Sequence, residues 1–196
     1  MNPPEMSSDP VKLILASQSP RRRELLAQGG WEFAVETAEV EELTSAEILE
    51  DLPVLNAALK ANAVAVKHPG SWVLGADTMI IFEGRAVGKP RDPADAAAML
   101  RAFSGKSHEV VTGIALVCRK QHKEILWRQS STVRFKVLTG EDIDFYLKNV
   151  QVLDKAGAYA IQEHGELIIE SFTGELENII GLPMKKLTRK LEEIFQ

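Results

Sequence analysis

Little in this sequence can cross-link, span a bilayer or chelate a soft metal. It holds one cysteine, Cys118, so no disulfide can close within the chain, which suits a reducing compartment. Cys118 lies in the apolar run 114–118 and reads as a buried strand thiol. No apolar run approaches the roughly 20 residues that a spanning helix requires. The opening MNPPEMSSDP lacks the basic and apolar regions of a secretory signal. These absences predict a cytoplasmic protein that stays off membranes. The histidines His68, His108, His122 and His164 show no metal-ligand spacing. Aromatics are scarce near the arginines and the formal net charge is -5, which argues against a nucleic-acid partner. Any polyanion must be held by a local basic cluster. Several motifs are also missing. Gly105-Lys106-Ser107 resembles the end of a P-loop, but the first glycine of that motif would fall at Leu100. No Gly-x-Gly-x-x-Gly follows a strand. Neither Ser17 nor Ser19 has a histidine arrangement that would make it a triad nucleophile.

What is present is a globular balance: hydrophobic residues make up 45% of 196, enough for a core. Residues 1–9 read as a loose polar tail and 10–196 as a single domain, with room for two lobes around a cleft. The run 11–16 predicts a buried strand. Ser19 is a good N-cap and Pro20 suits the first helical position, so a helix is predicted over 20–28, stopped by Gly29-Gly30. Strands are predicted at 33–40, 72–76 and 79–82, the last two flanking Gly75-Ala76-Asp77-Thr78. Further strands are expected at 110–118, 124–137, 159–162 and 166–171. Helices are predicted over 45–67 with a break near Pro53, over 93–103 capped by Asp92, and over 141–148 and 183–195. Interleaved strands and helices give an α/β, or mixed α+β, class with a mixed sheet.

The first strand–turn–helix carries the strongest local signal. A helix N-terminus presents free N–H groups and partial positive charge, and favours acids. Here Arg21, Arg22 and Arg23 occupy the first turn. A phosphate chain held by the N–H groups, the serine hydroxyls and the guanidinium forks would offset them; a solvated basic patch is the alternative. Asp77, after an apolar strand and beside Gly75, suits a strand-end Mg²⁺ ligand or general base, or a turn aspartate bonding its own backbone. Lys89, in Gly88-Lys89-Pro90-Arg91, suits a phosphate contact or a surface loop. Lys60, on spacing alone, faces solvent. Glu39, Glu41 and Glu42 form an acidic cluster that either ligates a metal or is simply solvated.

LILASQSPRRRELL, near the start, resembles the signature of the Maf family of nucleotide pyrophosphatases. VEE at 40–42, LKA at 59–61, GADT at 75–78, GKPRD at 88–92, SGKSHEVVTGIAL at 104–116, DKAGAYAIQ at 154–162 and NIIGLP at 178–183 follow in order. The resemblance implies the fold of the inosine triphosphate pyrophosphatases, an elongated mixed sheet flanked by helices with two lobes around a cleft. It implies hydrolysis between the α- and β-phosphates of a nucleoside triphosphate with Mg²⁺ or Mn²⁺, and a homodimer. Asp77 matches the family's proton acceptor; Ser17, Arg22, Glu42, Lys60 and Lys89 match its other polar cleft residues. Arg22, Lys60 and Lys89 would then neutralise phosphate, while Glu42 and Asp77 hold the metal.

Three positions divide the family's branches. Arg21, Thr78 and Gln162 match the branch that prefers dTTP and UTP. A glutamine both donates and accepts, which suits the neutral edge of uracil or thymine. The 7-methyl-GTP branch carries an aromatic residue, Gln and Glu there and is the alternative enzyme. The family's older description as inhibitors of septum formation supplies a non-catalytic alternative, a nucleotide-binding regulator. The segment TGELEN at 173–178 departs from the branch's usual pattern, with Glu175 and Glu177 expected near the cleft.

Overall fold

Capping chemistry fixes the first helix. In the computed structural model, which describes residues 12–196, strand β1 (Leu13–Leu15) leads into α1 (Pro20–Gln28). Ser19 Oγ accepts from Arg22 N, and the helix closes with Gly29 N–H on the Leu25 carbonyl and Gly30 N–H on the Ala27 carbonyl. The predicted tail and the first residue of the expected strand lie outside the described residues. Strand β2 (Ala34–Val35) is far shorter than the 33–40 expected. After a 3-10 turn at Leu49–Asp51, α2 (Leu52–Ala65) carries Pro53 in its first turn, so the proline starts this helix rather than breaking it. Then come β3 (Trp72–Phe82), β4 (Arg85–Val87), α3 (Pro93–Phe103), β5 (Ser107–Cys118), β6 (Lys123–Phe135) and α4 (Gly140–Asn149). A 3-10 turn at Ala156–Ala158 precedes α5 (Gly165–Ile168), β7 (Ile169–Thr173), α6 (Leu176–Ile180) and α7 (Met184–Phe195).

The seven strands form one mixed sheet in the order β2-β1-β3-β5-β6-β7, with β4 also on β3. The β1 pairings with β2 and β3 are parallel; the rest are antiparallel. Its interior is built of several clusters. Leu13, Leu74, Leu116 and Trp127 pack with α1 and α7 on one face. Ile14, Val73 and Ala115 pack under Ala57 and Ala61 of α2 on the other. The far ends of the long strands, at Ile80, Val110 and Phe135, pack with α3 and α4.

Two glycines let α2 lie against the sheet backbone itself. A Cβ on Gly75 would sit 2.1 Å from Ala57 O, and one on Gly113 would sit 2.2 Å from Pro53 C. Since side chains alternate along a strand, Asp77, two residues past Gly75, faces α2.

Three differences from the sequence expectation bear on function. β3 runs unbroken through Asp77, so this carboxylate is mid-strand, not at a strand end or turn. Residues 159–162 form no strand: Ala158 takes a left-handed φ of 60°, and Ala160 bonds the Tyr146 hydroxyl instead of a neighbouring strand. The expected strand 166–171 begins as helix α5 and becomes β7 only at Ile169.

Candidate active site

The sheet is incomplete along one edge of β3, and the cleft opens there. On one side β3 pairs with β5 from Val73 to Ile81. On the other it pairs with β1 as far as Leu74 and with β4 only from Ile80. The stretch between faces a cleft of about 750 Å³. All nine site residues expected from sequence line it: Ser17, Arg21, Arg22, Glu42, Lys60, Asp77, Thr78, Lys89 and Gln162. Asp77 and the basic turn of α1 therefore share one hollow. A crevice where neighbouring strands diverge is a recurrent ligand site in sheets of this class.

Arg22 is the most heavily bonded of these. Its Nε donates to Gly181 O at 2.9 Å, its Nη1 to Ala76 O at 2.9 Å and Ser17 Oγ at 3.1 Å, and its Nη2 to Thr78 Oγ1 at 3.0 Å. Four of the five guanidinium donors are thus spent on the protein. Burial lowers the Arg22 pKa from its ordinary value; Asp77 opposes that shift, Arg21 adds to it, and Glu42 opposes it. The first-turn charge that seemed to need an anion is offset in part by carbonyl and hydroxyl oxygens. Thr78 Oγ1 also meets Thr112 Oγ1 at 3.0 Å, and Thr112 donates to Asn178 O. Thr78 is thereby a member of the network that anchors Arg22.

Lys60 does not face solvent. Its ammonium lies 2.8 Å from Glu42 Oε1 and 2.8 Å from Asp77 Oδ1, so one cation bridges both carboxylates. Lys89 and Arg21 line the cleft with no ion pair or side-chain hydrogen bond among the described residues, which leaves their charge available.

Two cleft residues escaped the sequence reading. Asn56, four residues before Lys60 and hence on the same helix face, is buried. Its amide accepts from Leu43 N at 2.8 Å, donates to Leu43 O at 3.1 Å and reaches Asp77 Oδ2 at 3.5 Å. It fastens the irregular chain beside Glu42 to the helix that carries Lys60. A polar side chain inside an alanine-rich helix was the available signal. Lys155 is also buried, its ammonium bonded to Gln151 O, to Asp154 Oδ1 at 3.0 Å and to Glu163 Oε1 at 3.2 Å. The carboxylates expected near the cleft are not in its lining. Glu175 instead turns its Oε1 to Lys185 N at the start of α7.

The donor set suits a hard divalent ion. Glu42 and Asp77 offer oxygens only and already converge on one cation. Among the described residues no group of three or more His, Cys, Asp or Glu side chains could hold a metal alone. Mg²⁺ is commonly held by one or two carboxylates with substrate phosphate and water completing its shell, so these residues fit such an ion. Among the described residues no helix is long and apolar enough to cross a membrane.

A family model described as "Maf-like protein" matches residues 12–194. The chain is 46% identical over 180 residues to a protein of Akkermansia muciniphila named dTTP/UTP pyrophosphatase, covering 91% of this chain and 94% of that one. It is 43% identical over 187 residues to one of Symbiobacterium thermophilum with the same name, covering 93% of each. Among solved structures, the Ham1 protein of Staphylococcus aureus superposes with a TM-score of 0.53 at 17% identity, covering 93% of this chain and 98% of that one. A HAM1 protein of Coxiella burnetii gives 0.52 at 16%, covering 94% and 100%. The mixed α/β fold is the one the sequence resemblance implies.

Proposed function

The chain belongs to the Maf-like protein family, and from that premise we propose that it hydrolyses dTTP and UTP to the monophosphate and pyrophosphate. The observation that carries this reading is the convergence of Asp77, Lys60 and Glu42 on the same cleft as the cationic turn of α1.

The triphosphate enters along Lys89 and Arg21, cleft cations with no ion pair to break among the described residues. Its arrival draws the Lys60 ammonium from the carboxylates toward phosphate oxygen, which frees Asp77 to accept a proton. A water held by Asp77 adds to the α-phosphorus, the bond to the bridging oxygen breaks, and pyrophosphate leaves with the electron pair. Asp77 keeps the water's proton until the products depart. Lys60, Lys89 and the remaining donor of Arg22 stabilise the charge that grows on the phosphates. Mg²⁺ or Mn²⁺, held by Glu42 and Asp77, supplies charge neutralisation on the phosphate chain. Ser17 and Thr78 act through Arg22, keeping its fork in register with α1 and β3. Gln162 reads the pyrimidine edge and Arg21 contributes to substrate choice.

The deciding experiment measures pyrophosphate release across dTTP, UTP, dCTP, GTP and 7-methyl-GTP, with Mg²⁺, with Mn²⁺ and with a chelator. The expected outcome is metal-dependent release confined largely to dTTP and UTP. Preference for 7-methyl-GTP would reassign the substrate, and binding without release would make the chain a regulator. The working form we infer is a cytoplasmic homodimer without nucleic-acid or membrane partners. Light scattering should return twice the chain mass, and a single-chain mass would remove the dimer.

A further inference from the structure

The cleft wall at 155–163 has no regular structure beyond the turn Ala156–Ala158, yet it is tied down at every few residues. Gly157 N donates to Gly88 O at 2.9 Å, joining the wall to the loop that carries Lys89. The Tyr159 hydroxyl meets His108 Nε2 at 2.7 Å. The Tyr146 hydroxyl accepts from Ala160 N at 3.2 Å and points its own proton at Ala160 O, 3.4 Å away. Lys155 reaches Glu163 and closes the two ends on each other. Ala158 sits at a φ of 60°, a conformation unfavourable for a side chain, which persists only where surroundings impose it.

Neither Tyr146 nor His108 lines the cleft, and both are buried. Packing does not call for their polar atoms. A phenylalanine would fill the space of Tyr146 without a hydroxyl. His108 lies among the rings of Phe103, Phe135 and Tyr159, and its Nδ1 has no hydrogen-bond partner among the described residues. What the two side chains share is the stretch they hold: Tyr159 and Ala160, three and two residues before Gln162.

We propose that Tyr146 and His108 are positioning residues for nucleobase selection. They fix the backbone of 159–160 so that the Gln162 amide meets the pyrimidine edge at one distance and angle. The proposal rests on the reading of Gln162 as the base contact. A hydrogen-bonding site discriminates only while its groups are held in place, because the wrong base is rejected by leaving them unpaired. Loosening the wall lets Gln162 follow an ill-fitting base, and selectivity falls before chemistry does.

The test compares Tyr146→Phe and His108→Phe with Gln162→Ala in the full chain. It measures kcat/KM for dTTP, for dCTP and for a deoxyribose triphosphate lacking a base. Each positioning variant should lower the dTTP-over-dCTP ratio by about tenfold, while turnover of the base-free triphosphate stays close to wild type. Amide exchange at Ala160 should speed up in Tyr146→Phe. If both variants keep the wild-type ratio while Gln162→Ala collapses it, the positioning role is overturned and the base reading stands. If Gln162→Ala also keeps the ratio, both fall together. Equal slowing on all three substrates would make the two residues supports of the fold and likewise overturn the proposal. Should Tyr146→Phe not fold, His108→Phe decides alone.

Discussion

An ammonium has three donors and no preferred plane, so Lys60 can serve two carboxylates at once. This bridging sets what each partner's removal does. Asn at position 77 keeps the shape of the side chain and an oxygen for Lys60, but it cannot take a proton from water. Asp77→Asn should therefore fold normally and lose about 10²- to 10⁴-fold in turnover, the usual span of a general base. Pyrophosphate release at saturating dTTP checks the rate, and a thermal melt checks the fold. A wild-type rate would remove Asp77 from the proton-transfer role. At this scale the sequence named the cleft residues well but not their partners. The arginine-rich first turn marked Arg22, while only the family resemblance marked Lys60, which spacing alone turned to solvent. That Arg22 spends its fork on Gly181 and Ala76 depends on a contact 159 positions away in the chain, which no local pattern encodes. Asn56 was missed for the same reason: its partner Leu43 sits in a segment without periodicity.

Helices with local stop and start signals were legible, and elements decided by distant neighbours were not. The first turn of α1 and the Asp92 cap of α3 are written in adjacent residues, and both form as read. β4 exists because Phe82 and Arg85 can pair across a two-residue turn, while 159–162 fails to pair because Tyr146 takes its backbone groups. The break expected in β3 at 77–78 does not occur, and just before it, at Gly75, the backbone of α2 lies against the sheet. Lys60 and Asn56 reach Asp77 only because no side chain separates helix from strand at Gly75 and Gly113. Gly75→Ala would drive a methyl into Ala57 O and push α2 outward. The expected cost is about 1–3 kcal/mol of stability, the range for overpacking. Activity should fall further than stability alone explains, since the Lys60–Asp77 contact stretches as well. Urea unfolding gives the first quantity, and turnover at a temperature where the variant stays folded gives the second. An unchanged midpoint would mean that α2 yields without penalty.

For the molecule as a whole, the cluster beyond the cleft holds a feature that links its stability to acid. His108 lies in the core built by α3, α4 and the far ends of the long strands, with aromatic rings and the Tyr159 hydroxyl around it. Burial pushes its pKa down from 6.5 to about 4. In the unfolded chain the imidazole protonates as pH falls through 6.5; in the folded protein it stays neutral until about pH 4. The unfolded state therefore binds the extra proton across that window, and stability declines as pH drops through it. The full effect approaches about 3 kcal/mol below pH 4. Asp95 and Asp142 shift in the same direction but in a lower window: Arg91 and Thr139 hold them below their ordinary value, so their contributions are present above 3.8 and lost further into acid. The two windows separate the causes. His108→Phe fills the same space without a titrating group, at the fixed cost of an unpaired Tyr159 hydroxyl. Between pH 6.5 and 4 the variant should hold its unfolding free energy nearly level while the wild type declines, so the difference between them narrows steadily toward acid. Parallel curves from urea titrations at several pH values would mean that His108 gains its proton without unfolding, and that this end of the core admits water.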